Sequence, residues 1–104
     1  MKSYLVKNVE PIQAVKPGRA FTMVEFLAEV LLDEQFGGNL EAMQLVASMQ
    51  RKIVKLSESG TMTLTDEEHT ALCKAIMHPT HPYRPLLAKS ICLFGFAVVD
   101  ARPS

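Results

Sequence analysis

The chain has 104 residues, 11 Lys and Arg against 11 Asp and Glu, and 48% hydrophobic residues. That is the length of one domain, apolar enough to fold around its own core rather than stay disordered. The zero formal charge argues against binding nucleic acid by neutralising phosphates, and no apolar run reaches the roughly 18 residues that span a bilayer.

Lys2 and Lys7 flank Tyr4-Leu5-Val6 too closely for a secretory hydrophobic segment, so the expected compartment is the cytoplasm. There Cys73 and Cys92 read as reduced thiols. Tyr4–Val6 and Ile12–Val15 are short β-capable runs separated by Pro11. Lys16-Pro17-Gly18-Arg19 is a turn signal, because Pro presets φ and Gly accepts the positive φ that follows. Residues 12–15 and 19–21 therefore suit a small hairpin or an extended arm.

Thr22-Met23-Val24-Glu25 reads as a capping box opening the first helix. Val24, Leu27, Ala28, Leu31 and Gln35 recur at helical spacing, and Gly37-Gly38 is the expected stop. Asn39 caps a second helix, from Leu40 to about Leu56, whose Ala42, Leu45, Val46, Met49, Ile53 and Leu56 share a face. Ser57–Gly60 reads as a loop and Thr61–Leu64 as a short strand or extended connector. Thr65-Asp66-Glu67-Glu68 is a second capping box, opening a third helix to about Met77 with Leu72, Ala75 and Ile76 inward. Three prolines within residues 78–85 then exclude regular helix. The fourth helix, from Leu86 to about Asp100, is apolar nearly all round, with Lys89 its only charge before Asp100. Such a helix is expected either at the centre of the domain or as half of a subunit interface.

Three constellations carry possible chemistry. His69, Cys73, His78 and His81 offer zinc-type ligands, although the spacing matches no strong zinc signature. The plainer reading puts His69 on an exposed face, Cys73 in packing, His78 at a helix end and His81 in solvent. Cys73 with His69 as base would be a nucleophile pair, but the adjacent acidic residues 66–68 disfavour a thiolate. Glu25, Glu29 and Asp33 form an acidic stripe at i, i+4, i+8, either a solvated helix face or a surface for a basic partner. Arg51, Lys52 and Lys55 make a small basic patch without the aromatics that single-stranded nucleic acid needs for stacking. Nucleotide-binding and hydrolase motifs are absent, which gives no catalytic residue and no cofactor to name.

The order of parts resembles that of small accessory proteins of tailed phages and prophages: a turn leading to Phe21-Thr22, two helices, a brief Met62–Leu64 segment, Thr65-Asp66-Glu67-Glu68 and an apolar closing helix. The resemblance implies a short protein acting by contact, as assembly factor, virion component or inhibitor of a host machine. The expectation is a single domain, 1–104, mainly α. An arm over 1–21 precedes a core over 22–104, in which about four helices pack around the last one. Its expected role is non-enzymatic: a self-associating assembly or structural factor, with homo-oligomer contacts through Leu87, Phe94 and Val98. The alternative is an inhibitor gripping a host protein through Glu25, Glu29 and Asp33.

Overall fold

The computed structural model describes residues 2–11, 14–16 and 19–103. Among the described residues four helices hold half of the chain: α1 (Met23–Val30), α2 (Leu40–Ser59), α3 (Asp66–Met77) and α4 (Ala88–Val99). Single turns of 3-10 helix stand at Glu34–Phe36 and Pro85–Leu87. Four short strands, β1 (Ser3–Lys7), β2 (Ala14–Lys16), β3 (Arg19–Ala20) and β4 (Thr61–Thr65), form two antiparallel pairs. The architecture is thus mainly α with a minor β part, the class the sequence pattern indicates.

β2 pairs with β3, Ala14 opposite Ala20 and Lys16 opposite Arg19, which is the expected hairpin. Pro17, Gly18 and Ile12 of that expectation lie outside the described residues. The other pair joins distant segments, β1 running antiparallel to β4 from Ser3 opposite Thr65 to Lys7 opposite Thr61. Alternation puts Val6, Met62 and Leu64 inward, while Thr63 and Thr65 face water.

The segment from α2 to α3 has almost no loop. Helix α2 continues through Ser59, past the expected end near Leu56, with the Ser59 hydroxyl donating back to the Lys55 carbonyl at 2.8 Å. The stop is Gly60, whose left-handed backbone (φ 83°) points its N–H at the Leu56 carbonyl. Glycine takes that conformation without the Cβ clash other residues meet. Five residues of β4 follow, and Thr65, the last of them, already caps α3. Its hydroxyl accepts from the Glu68 N–H while the Glu68 carboxylate accepts from the Thr65 N–H, closing the box read from the sequence.

Helix α1 is shorter than its periodicity suggests and ends at Val30 rather than near Gly37. The cause is Asp33, whose backbone is extended and whose carboxylate accepts from the Gln35 N–H at 3.0 Å and the Thr80 N–H at 2.9 Å. Aspartate competes with helical hydrogen bonding in this way whenever a local N–H is within reach. The start falls where expected, and of the capping box the Thr22 half is present, its hydroxyl accepting from the Glu25 N–H.

The core lies between the β1–β4 pair and the four helices. Phe21, Phe26, Phe94 and Tyr83 gather in it, with ring centroids 5.9 to 6.5 Å apart in tilted and edge-on contacts. Helices α3 and α4 approach closely at Gly95, where a Cβ would sit 3.1 Å from Ile76 Cγ2. Valine at that point is overpacking, which typically costs about 1–3 kcal/mol. Gly95→Val is therefore expected to lower the urea midpoint by a matching amount, and Gly95→Ala by much less because helix propensity offsets the contact. Equal midpoints for the Gly95→Val variant and the wild type would contradict this close approach.

Candidate functional site

The last helix brings the most surface to account for. Pro85 opens the 3-10 turn that leads into α4, where its missing N–H costs nothing. Ser90, Phe94, Gly95 and Val98 then bury the inner face against α3, α1 and β1. Of the two expected placements, the centre of the domain does not hold, because the chain itself leaves one side of the helix uncovered. Ala88, Lys89, Cys92, Phe96 and Asp100 are exposed, with Leu93 and Ala97 partly covered between them. Phe96 keeps 48% of its surface in contact with solvent. Together with Val9, these residues line a shallow open groove. A second apolar hollow runs from Cys92 and Phe96 across to Met77 and Tyr83, so the apolar surface continues to the end of α3. The elements packed against it, chiefly α3, α1 and β1, are too few to enclose a helix with this many large side chains.

The candidate contact residues fall on the wrong side of that helix. Phe94 and Val98 are fully buried and Leu87 is nearly so, each part of the monomer core. The side of α4 left facing solvent is formed instead by Lys89, Cys92, Leu93, Phe96 and Ala97. Successive residues of a helix are turned by about 100°, so a step of one or two positions separates the two sets, a phase that composition alone does not reveal.

The acidic stripe is not a stripe. Glu29 is exposed on α1 and Glu25 is half-buried, but Asp33 stands beyond the helix end in the turn described above. Desolvation pushes its carboxyl up, yet the hydrogen bonds from Gln35 and Thr80 outweigh that and hold its pKa below the ordinary value. Asp33 thereby fastens the proline-rich loop to α1. Glu29 and Asp33, with His81 and Arg84, rim a cleft of about 250 Å³ floored by Phe26 and Tyr83.

The histidines and Cys73 do not assemble. His69 is buried rather than exposed: its ring stacks on Tyr4 at 3.8 Å between centroids, and Nε2 lies 2.8 Å from the Val98 carbonyl oxygen. Helical spacing does bring Cys73 Sγ to 3.4 Å from that nitrogen. Burial raises the thiol pKa, the opposite of what an activated nucleophile needs. His78 and His81 are exposed in the loop beyond, and among the described residues no group of three or more His, Cys, Asp or Glu could hold a metal ion. Added zinc is expected to leave the melting temperature unchanged, as differential scanning fluorimetry will record.

Sequence reasoning assigned Glu68 only a capping role, and its larger one comes from tertiary packing. Its side chain is 3% exposed, where it also accepts from the Ser48 hydroxyl at 2.7 Å and pairs with the Lys52 ammonium, both on α2. Lys52, still beside Arg51 and Lys55 at the surface, thus also serves as a strut. No family model, curated protein or solved structure matches the chain. No helix among the described residues is long and apolar enough to cross a membrane.

Desolvation raises the pKa of Glu68, but Lys52, the Thr65 N–H and Ser48 together outweigh it and bring the value below the ordinary 4.5. A carboxylate whose folded-state pKa is lowered stabilises the fold fully above its unfolded value and loses that contribution as pH falls through the folded one. Glu68→Gln should therefore cost about 1–3 kcal/mol at neutral pH and flatten the loss of stability below about pH 4.5. Urea midpoints across an acid pH series measure both effects. An acid limb as steep as wild type would assign it to other carboxylates, Asp33 first.

Proposed function

We propose that this chain works by contact rather than catalysis, as a self-associating assembly or structural accessory protein. The observation that carries this reading is the outer face of α4, a contiguous apolar surface running from Val9 past Cys92 and Phe96 to Met77. Burying large exposed apolar side chains is the main drive for association, and a half-exposed Phe at the centre of such a face is a natural anchor. The layout resemblance to small phage accessory proteins points the same way.

The expected result from light scattering on a size-exclusion column is a discrete oligomer that dissociates on dilution, because one short helix face makes a small interface. Phe96→Glu should yield a folded monomer with the circular dichroism of wild type and a melting temperature that no longer depends on concentration. A monomer at every concentration would overturn the reading.

A further inference from the structure

We propose that α4 pairs with α4 of a second copy, antiparallel, about a two-fold axis passing between Leu93 and Phe96. The inference rests on the self-association reading and adds the geometry of the interface to it. Its basis is where the charges of the face lie. Lys89, Leu93, Phe96 and Asp100 recur at i, i+4, i+7 and i+11, so they form one line along the exposed side of the helix. The line is apolar in the middle, with a cation at one end and an anion at the other, about 16 Å apart along the axis. Among the described residues neither charge is ion-paired.

Both charges also stand at the unfavourable ends of their own helix. A helix N-terminus favours anions and its C-terminus favours cations. Here Lys89 is in the first turn and Asp100 is the C-terminal cap. A partner helix running the opposite way corrects both at once. It brings its own Asp100 and the negative end of its backbone dipole to Lys89, and by symmetry the reverse happens at the other end. At the centre Leu93 faces Phe96 of the second copy, twice. A parallel pairing would instead set Lys89 against Lys89 and Asp100 against Asp100. The small side chains flanking the line, Ala88, Cys92 and Ala97, let the two helices approach to the ordinary separation of about 8–10 Å between axes. Such an interface is isologous and closed, giving a dimer and not a fibre.

The test uses two single variants of the full chain, Lys89→Asp and Asp100→Lys. Each gives an antiparallel dimer two like-charged contacts in place of two ion pairs, so each alone should raise the dimer dissociation constant roughly tenfold. Mixed in equal amounts, the two variants present opposite charges at both ends and should recover wild-type association. Sedimentation equilibrium of each sample at low salt reads the outcome, and circular dichroism checks that both variants fold. A wild-type dimer whose affinity neither single variant changes would overturn the antiparallel pairing while leaving self-association standing. A wild-type monomer, with the face occupied by a different protein, would overturn both.

Discussion

A carboxylate almost out of contact with water, Glu68, joins three parts of this fold that also share its hydrophobic core. It caps α3 through the Thr65 N–H, reaches Ser48 and Lys52 on α2, and so fixes both helices against the end of β4. A buried anion is tolerated only when its hydrogen-bonding capacity is filled and a counter-charge is near, and Glu68 has both. The turn at Gly60 is held at the other end of β4 by its own bonds, its N–H donating to the Leu56 carbonyl and its carbonyl accepting from the Asn8 N–H. β1 then adds to β4 and closes the molecule over the core.

With α2, β4 and α3 held in that way, the remaining elements have limited freedom. The Phe21–Phe26–Phe94 cluster sets α1 and α4 against each other, and Gly95 lets α4 settle close to α3. Asp33 ties the loop of residues 78–85 to the end of α1. What this arrangement leaves over is the outer side of α4. Helix α4 carries large apolar groups around its whole circumference, and a domain of this size has too few elements to enclose one. The leftover surface is where the chemistry of this protein is most distinctive, because its remaining polar groups are either paired inside the fold or scattered over it.

Much of the local structure was legible because it follows from single residues acting on their neighbours. Thr22, Asn39 and Thr65 each cap the helix that follows them, and the prolines of residues 79–85 keep that segment out of regular helix. The errors have physical causes of the same kind. Ser57 and Ser59 suggested a loop, but serine in the last turn can bond back to the carbonyl four residues earlier and keep the helix going. Leu31 and Gln35 suggested a longer α1, but Asp33 had a local N–H and a distant one to satisfy, and the distant one belongs to Thr80. His69 looked exposed because acidic residues precede it, yet the strand that covers it, with Tyr4 stacked on its ring, comes from the other end of the chain.

The amino-acid sequence by itself determined the fold class, the positions of the helix starts and the presence of an unusually apolar last helix. These depend on interactions within a few residues: capping hydrogen bonds, proline's fixed φ and hydrophobic periodicity. Only the tertiary structure decided which face of that helix is covered, which is why Phe94 and Val98 became core while Cys92 and Phe96 became surface. It also decided the pairing of β1 with β4 and the burial of Glu68 between two helices. Those outcomes turn on contacts between segments far apart in the chain, and for a helix apolar on all sides the local pattern carries no phase information to choose among them.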